Sequence, residues 1–355
     1  MVVAVRERGE DVRRFILENI EKHPKAIAAL TAKQFSVSRQ AVNRHLQNLT
    51  VEGALTATGN TRNKSYKLCP LQEFRQLYLI DPSLEEHTVW ESDVRPFLGN
   101  IPLNIKDIWN YCFTEMFNNA IDHSQGSSIF VSITKTAANT QMALLDNGVG
   151  IFKKIQSAMK LADERHAILE LCKGKLTTDP AKHTGQGIFF TSRLLDSFDI
   201  LAGGVYLSHV KGEEEDWILE RESNSSGSTI FMKLNNHTAQ TCQKVFDFYS
   251  GGDDYGFIKT VVPVKLARYG NDALVSRSQA KRLLTRIDRF ETVLFDFDGV
   301  PTIGQAFADE IFRVFANQHP TMHLIATKTS PEVERMITAA RAERPQFPPI
   351  DLSLL

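Results

Sequence analysis

This sequence has few cysteines, no long apolar run and almost no net charge. Each of these features argues against a class of protein. The 355 residues contain four scattered cysteines without metal-ligand spacing, so neither a disulfide framework nor a cysteine metal site is predicted: Cys69, Cys112, Cys172 and Cys242. No apolar run approaches the length of a membrane span, and no signal peptide is visible. The formal net charge is −1, which indicates no general attraction to nucleic acid or to a membrane. A reduced, cytoplasmic protein is expected.

The length and composition set the number of domains. A chain of 355 residues that is 42% hydrophobic is long and apolar enough for two or three domains with their own cores. Polar clusters within otherwise apolar segments then indicate where chemistry is expected.

The first polar cluster lies in a segment with helical periodicity. Glu115 and Asn119 are four residues apart, so a helix places both on one face. A carboxylate can orient and deprotonate a water. An amide oxygen is a ligand for Mg²⁺, which otherwise keeps waters and binds phosphate oxygens. The apolar positions that define the helix include Ile108, Tyr111, Cys112, Met116 and Ala120.

Two further clusters follow at element boundaries. Asp146 comes directly after an apolar strand over 141–145, and a carboxylate there can accept a hydrogen bond from an exocyclic amine. Gly148 and Gly150 then allow the backbone to bend and approach a ligand closely. Gly185 and Gly187 precede an apolar helix over 188–195, and exposed N–H groups at a helix start favour phosphate.

Together these residues resemble the N, G1 and G2 boxes of the GHKL ATP-binding fold, found in gyrase, heat-shock chaperones, histidine kinases and MutL. The resemblance covers about residues 88–236 and implies a domain over 91–237, an α/β sandwich with a mixed sheet and helices on one face. It implies that Glu115 is a general base, Asn119 a Mg²⁺ ligand and Asp146 the acceptor for adenine, assisted by Ser228. Gly148, Gly150, Gly185 and Gly187 would line ATP and its lid. Phe189 and Phe190 stand where some members have another glycine.

The first seventy residues have a different character. They contain twelve Lys and Arg against six Asp and Glu, a local charge of +6. Helical patterns over 9–21, 26–35 and 39–49 precede a hairpin that ends in a strand over 65–68. This order resembles the winged helix-turn-helix repressors of bacteria, which implies contacts with bases and phosphates of double-stranded DNA. The implied DNA contacts are Ser38, Arg39, Gln40, Asn43, Arg44, Arg62 and Lys64. A winged helix used for protein contacts or dimerisation is the alternative.

The connecting segments are less distinctive. Residues 71–90 are interpreted as a linker, because their composition is mixed and Asp81 precedes a proline. His87 lacks the surroundings of a histidine kinase phosphoacceptor, so a histidine autokinase is not expected. Residues 152–182 correspond to the ATP lid, where Lys173, Lys175 and Lys182 could contact the γ-phosphate but are more simply explained as solvated lysines.

The last hundred residues alternate helical and strand patterns, which predicts a small α/β domain over 250–345. The stretch that begins at Phe295 resembles the STAS-like domains found behind bacterial ATP-binding domains. Such domains are interaction modules, and some are phosphorylated near the start of the corresponding helix, where this chain offers Thr302. Asp296 and Asp298 also suggest a haloacid dehalogenase, which is rejected because the downstream lysine and acidic motifs of that family are not recognised.

These segments predict an α+β multidomain protein with three modules. The expected function is a cytoplasmic ATP-dependent regulator that binds Mg-ATP, binds DNA through its winged helix and uses the STAS-like domain to contact a protein partner, with no membrane contact and as a homodimer. Slow ATP hydrolysis is one expectation. A serine/threonine kinase of the anti-sigma type and a non-hydrolysing ATP-sensing scaffold are the alternatives, since motifs alone do not separate the three.

Overall fold

A computed structural model describes residues 2–60, 63–176, 185–211, 217–220, 226–250, 257–268 and 273–342 of the protein. In this part of the chain the α-helices are α1 (Val2–Asn19), α2 (Ile27–Phe35), α3 (Arg39–Val51), α4 (Glu86–Val89), α5 (Arg95–Leu98), α6 (Leu103–His123), α7 (Ile151–Met159), α8 (Glu164–Lys173), α9 (Gly187–Leu194), α10 (Cys242–Tyr249), α11 (Arg277–Leu284), α12 (Gln305–Asp309), α13 (Ala316–Gln318) and α14 (Pro331–Ala342). None of these described helices is long and apolar enough to cross a membrane.

The strands follow in chain order with the bounds β1 (Leu55–Thr58), β2 (Ser65–Leu68), β3 (Gln72–Leu79), β4 (Ser128–Lys135), β5 (Asn139–Asp146), β6 (Ser197–Ala202), β7 (Val205–Val210), β8 (Trp217–Glu220), β9 (Ser228–Asn235), β10 (Lys259–Pro263), β11 (Thr292–Asp296) and β12 (His323–Thr327). Antiparallel and parallel pairings both occur. The predicted α+β multidomain class is therefore confirmed.

The chain divides into two compact units. The first comprises Met1–Val149, Leu194–Ala202 and Ser225–Cys242, and the second comprises Gly150–Arg193, Gly203–Asn224 and Gln243–Leu355. The segment 91–237, for which one domain is predicted, thus contributes to both units. Each unit is described separately below.

The first unit begins with three helices and a hairpin, as the N-terminal pattern predicts. Helix α1 starts at Val2 rather than Gly9, because a single glycine does not interrupt an otherwise helix-forming sequence. Ser38 caps α3 and its hydroxyl accepts a hydrogen bond from the Ala41 N–H at 3.2 Å, as predicted. The shared core of the helices and the hairpin includes Val12, Ile16, Ile20, Val42, Leu46, Leu49 and Tyr66.

The rest of the first unit is an antiparallel sheet with the order β3-β4-β5-β9-β6. A mixed sheet is predicted for this segment, but every pairing described within this unit is antiparallel, and the parallel pairings belong to the C-terminal sheet. Helix α6 packs on one face, where the rings of Tyr78 and Phe117 meet at 5.6 Å. Residues 72–79, interpreted as part of a linker, instead form β3. Its inward side chains, Phe74 and Tyr78, contact aromatic residues of the helical layer.

The second unit contains a parallel sheet with the order β10-β11-β12, and helices α11, α12 and α14 accompany it. Strand β11 and helix α14 lie within a residue of their predicted positions. Helix α11 begins at Arg277, later than the predicted Ala273, because Ser276 and Gln279 form a capping box that fixes the start. The same unit contains α7 and α8, which fall in the segment predicted to be the lid, and then α9 up to Arg193.

Candidate functional site

Helix α6 carries Glu115 and Asn119 on a flank next to its buried face. Cys112, Met116 and Phe117 are fully buried against the sheet, whereas Glu115 and Asn119 are half-buried. The two side chains lie one turn apart, about 6 Å between their Cβ atoms. Burial and the nearby charge of Glu115 together raise the pKa of Tyr111. The charged flank therefore lies at the edge of the core, within reach of water and of a ligand.

The carboxylate of Asp146 is fixed at the end of β5. Its Oδ1 accepts a hydrogen bond from the Gly148 N–H at 2.9 Å, and the carboxylate also accepts from the N–H and the hydroxyl of Ser228 at the start of β9. Burial raises the pKa of Asp146, although these hydrogen bonds oppose that rise. The predicted pair of Asp146 and Ser228 is thus in contact, with the acceptor held half-buried.

Two glycines allow this arrangement. A Cβ on Gly148 would overlap the backbone carbonyl of Ser124, which also accepts a hydrogen bond from the Val149 N–H at 2.9 Å. A Cβ on Gly227 would overlap the carbonyl of Asp146 itself, and Gly227 has a φ of +84°. Gly148 therefore has a packing role between the end of α6 and the loop after β5, and Gly227 supports Asp146 from the neighbouring strand.

A side-chain amide joins the same loop to the start of β4, which follows α6. Asn147 Oδ1 accepts hydrogen bonds from the N–H groups of Ser127 at 2.8 Å and Ser128 at 3.1 Å. Together with the Val149–Ser124 hydrogen bond, these contacts connect the loop after Asp146 to the end of α6. Their relative position is set by the fold before any ligand binds.

Gly227→Ala is expected to destabilise the first unit by about 2–4 kcal/mol. This value adds the cost of a left-handed backbone conformation at a residue with a Cβ to the cost of a steric overlap. Gly53→Ala is the matched control, because Gly53 has a φ of +76° but an added Cβ there would meet no atom within 4 Å. The control should cost only about 1–2 kcal/mol. Urea denaturation of both variants measures the difference, and equal losses would contradict the packing role of Gly227.

The other predicted glycines lie in the second unit. Gly150 precedes α7 with a φ of +85°, and Gly187 is the first residue of α9. Gly185 has a φ of +70°, and a Cβ there would overlap the backbone of Leu176. The Leu176 N–H donates to the Gly185 carbonyl at 3.0 Å. Gly150 and Gly185 thus have the backbone conformation that favours glycine, while phosphate binding at Gly185 and Gly187 and close approach of a ligand at Gly150 stay predictions.

Lys173 was considered for a phosphate contact, but its side chain is buried and hydrogen-bonded within the protein. Its side chain is 2% exposed, and its Nζ donates to Glu170 Oε1 at 2.6 Å and to the carbonyls of Arg282 at 2.9 Å and Thr285 at 2.8 Å. These carbonyls end helix α11, where a cation is favoured by the helix dipole. Burial lowers the pKa of Lys173, and Glu170 opposes that effect.

The chain that follows Lys173 is joined to the same region. Lys175 Nζ donates to the Arg289 carbonyl at 2.8 Å and lies over the Phe290 ring at 4.7 Å. Arg286 donates to the Lys175 carbonyl at 3.0 Å, and the Thr260 hydroxyl donates to the Lys173 carbonyl at 2.6 Å. Lys182, also considered for phosphate, lies outside the described residues. Lys173 and Lys175 therefore both donate to other groups of the protein.

Phe189 and Phe190 fill an aromatic core in the second unit. Both are buried, and their rings contact Tyr249 and Phe257 at centroid distances of 4.6–6.1 Å. Gly174 lies against this cluster, since a Cβ there would come within 2.7 Å of the Phe257 ring. The two phenylalanines thus pack α9 against the C-terminal part of the second unit.

The predicted DNA contacts lie on the outside of the N-terminal module. Helix α3 buries Val42, Leu46 and Leu49, and it leaves exposed the predicted contacts Ser38, Arg39, Gln40, Asn43 and Arg44. Lys64 is half-buried, and its ammonium lies over the Tyr66 ring at 5.2 Å. Arg62 lies outside the described residues. The exposed polar face agrees with groove contact, which stays a prediction.

A charged cluster that the sequence did not reveal lies at the carboxyl ends of β11 and β12. Lys328 Nζ is 3.1 Å from Asp296 Oδ2 and 3.5 Å from Asp298 Oδ2. Partial burial opposes ionisation of Lys328, but the two carboxylates raise its pKa. Only the parallel pairing of β11 and β12 brings Lys328 to the two aspartates. Thr302 is exposed before α12.

The residues of the first unit fit Mg-ATP. A half-buried carboxylate with fixed donors remains able to accept from an adenine amine, and Glu115 and Asn119 form a polar flank on α6. Among the described residues, no group of three His, Cys, Asp or Glu could hold a metal. Mg²⁺ would therefore depend on Asn119 together with phosphate oxygens, which is the coordination that Mg²⁺ prefers.

Comparison with known proteins supports one module. Residues 279–334 match the family described as a STAS-like domain of unknown function, DUF4325. No curated protein matches the sequence. The match covers α11, β11, α12, β12 and the start of α14. The prediction of a STAS-like module is confirmed, and the chain contains a STAS-like domain within residues 279–334.

Proposed function

We propose that this protein is an ATP-dependent regulator that binds Mg-ATP in a GHKL-type site and binds DNA through a winged helix. The observation that carries the proposal is the Asp146 carboxylate, which is held by Gly148 and Ser228 next to the helix that bears Glu115 and Asn119. An ordinary loop carboxylate would be solvated by water. Asp146 instead accepts from three protein donors, and two glycines permit the close backbone contacts around it.

Each residue has a role in the proposal. Asp146 accepts a hydrogen bond from the adenine amine, and the Ser228 hydroxyl orients the carboxylate. Asn119 binds Mg²⁺, which when bound neutralises phosphate charge. Glu115 orients and deprotonates the attacking water. Gly148 presents backbone groups to the nucleotide, as the resemblance implies.

Contacts within the first unit connect the proposed ATP site to the proposed DNA-binding module. Strand β9 begins at Ser228, and near its end Lys233 Nζ is 2.5 Å from Glu21 Oε2 of the N-terminal module. The Asn235 amide donates to Glu18 at 3.2 Å, and Asn139 donates to Glu21 at 3.3 Å. A change at Ser228 can therefore reach α1 through one strand.

The test of the coupling is DNA affinity with and without Mg-ATP. We expect saturating Mg-ATP to change the dissociation constant for a selected duplex by about 5- to 150-fold, the usual range of allosteric coupling. Fluorescence anisotropy measures it, with Asp146→Asn as the variant that should not respond. If affinity and oligomeric state are the same with and without nucleotide, the proposed coupling is wrong.

Substitutions on α3 and the hairpin separate the two kinds of DNA contact. Asn43→Ala is expected to weaken binding of a duplex selected from a random pool by about 1–3 kcal/mol, with little effect on other sequences. Lys64→Ala should weaken binding to all sequences and lower the salt dependence by about one phosphate contact. Arg335→Ala, at an exposed arginine of α14, is the control that should change neither. Equal effects on all sequences from both variants would argue against base recognition by Asn43.

The STAS-like match favours a second candidate, a protein serine/threonine kinase that acts on such a domain. ATP labelled at the γ-phosphate separates the two functions. Label retained on the protein, and lost in Thr302→Val, would support the kinase, whereas free phosphate alone would support an ATPase. Binding without either product, unchanged in Glu115→Ala, would leave a non-hydrolysing sensor.

A further inference from the structure

Strand β3 is the end strand of its sheet, and it carries exposed leucines. Leu77 is 54% exposed and Leu79 is 67% exposed, and Leu71 just before the strand is 50% exposed. Residues 72–79 pair with β4 in an unbroken register, without proline or lysine. In the described part of the chain no strand pairs with the other side of β3. The edge therefore lacks proline, lysine and a bulge, three of the features that protect edge strands against pairing with another strand.

The backbone hydrogen bonds between β3 and β4 alternate along the strand. They show which residues of β3 direct their N–H and C=O groups to the open edge. The Ile80 N–H donates to Ser127, so even-numbered residues of the strand direct their backbone groups to β4. Glu73, Arg75 and Leu77 therefore direct their N–H and C=O groups to the open edge. The Leu77 carbonyl accepts from the side-chain amide of Gln76 at 3.2 Å, which substitutes for a strand partner. Before the strand, the Leu71 N–H donates to the Lys135 carbonyl at 2.8 Å, so the regular phase begins at residue 72.

The odd-numbered residues of the strand include a self-complementary pair, glutamate at 73 and arginine at 75. An antiparallel partner of the same sequence with a two-fold axis at Phe74 places residue 73 opposite 75, so each glutamate faces an arginine. Leu77 of one copy then comes next to Leu71 of the other, just before its strand. Glu73 and Arg75 are also residues whose backbone groups are available, so the register satisfies antiparallel hydrogen bonding at its centre.

Neighbouring registers do not share this property. An axis at Arg75 places two arginines opposite each other, and an axis at Glu73 places two glutamates opposite each other. An axis at Gln76 places Arg75 opposite a leucine. Within one chain, Arg75 and Glu73 make only a 3.5 Å contact between exposed side chains. That contact can be exchanged for two stronger cross-strand pairs.

We infer that β3 pairs with β3 of a second copy of this chain, antiparallel and centred on Phe74. The two antiparallel sheets then form one continuous sheet across the two-fold axis. The interface is isologous, as in most homodimers. It does not depend on ATP or DNA binding, and it identifies the surface through which the chain dimerises.

Charge reversal tests the register as well as the interface. Arg75→Glu and Glu73→Arg each place like charges opposite each other twice, and each should raise the dimer dissociation constant about 10-fold or more. The double variant restores opposite charges and should return the constant to within about 3-fold of wild type. Sedimentation velocity over a concentration series gives these constants, and circular dichroism confirms that each variant is folded.

The control is Arg95→Glu, which reverses an exposed charge on α5 rather than on β3, where Arg95 pairs with Glu91 at 2.6 Å. It should leave the dimer unchanged. A wild-type chain that stays monomeric at about 100 µM would overturn the inference, because even a weak dimer should form at that concentration. A dimer that withstands both single reversals, or a folded double variant that stays monomeric, would overturn it as well.

Discussion

Lys173→Met is expected to lower the free energy of unfolding of the second unit by about 3–5 kcal/mol, because it leaves a buried glutamate without its cation. Glu170 is fully buried, and after the substitution its nearest permanently charged neighbour is Arg286 at 4.0 Å, while His166 Nε2 lies at 3.8 Å with a pKa that burial lowers. The carbonyls of Arg282 and Thr285 also lose their donor. Urea denaturation, with hydrogen exchange over residues 164–176, measures the loss.

Two variants separate the ion pair from a general loss of lysine. Lys153→Met removes an exposed lysine from α7 and should change stability by less than about 0.5 kcal/mol. Glu170→Gln combined with Lys173→Met removes the unpaired charge and should recover about half of the loss. A Lys173→Met variant as stable as Lys153→Met would show that the buried contacts do not anchor α8.

Asp146→Asn is expected to have opposite effects on binding and on stability. The amide cannot accept from both Ser228 and an adenine amine in the way the carboxylate does, so ATP affinity should fall about 100-fold, or about 3 kcal/mol. Burial raises the pKa of Asp146, which means that the folded state disfavours its charge. At neutral pH the variant should therefore be at least as stable as wild type.

The difference in stability between Asp146→Asn and wild type is expected to change with pH in one direction. Because burial raises the pKa of Asp146 in the folded state above its ordinary value of 3.8, the protonated carboxyl favours the folded state. That contribution is present at low pH and is lost as pH rises from about the unfolded pKa through the folded pKa. The melting temperature of Asp146→Asn minus that of wild type should therefore increase over this interval and then level off. A difference that falls with rising pH would contradict the cause assigned to the pKa.

Local signals accounted for much of the fold. Ser38 predicted the start of α3, because a hydroxyl cap acts on N–H groups two or three residues away. The alternation over 65–68 predicted β2, and Asp146 was placed at the end of β5 by the apolar run before it. Ser228 was associated with Asp146 by the family resemblance and not by a local signal, and the two residues are in contact.

Contacts between distant segments could not be read from the sequence. Strand β3 was missed because Leu77 and Leu79 face outward, which obscures the alternation of buried and exposed positions. Lys173 resembles the other lysines of its loop, and only the end of α11, more than a hundred residues later, shows that it is buried. Lys328 meets Asp296 for the same reason, through strand pairing.

The most direct test of the proposed function is calorimetric titration of the wild-type protein with Mg-ATP, with released phosphate followed in parallel. We expect saturable binding at one site per chain, lost in Asp146→Asn and retained in Gly53→Ala. Phosphate release would then be abolished by Glu115→Ala without loss of binding. A folded wild-type protein that binds no Mg-ATP would contradict the proposed ATP site, and the N-terminal module would remain as the basis for a function.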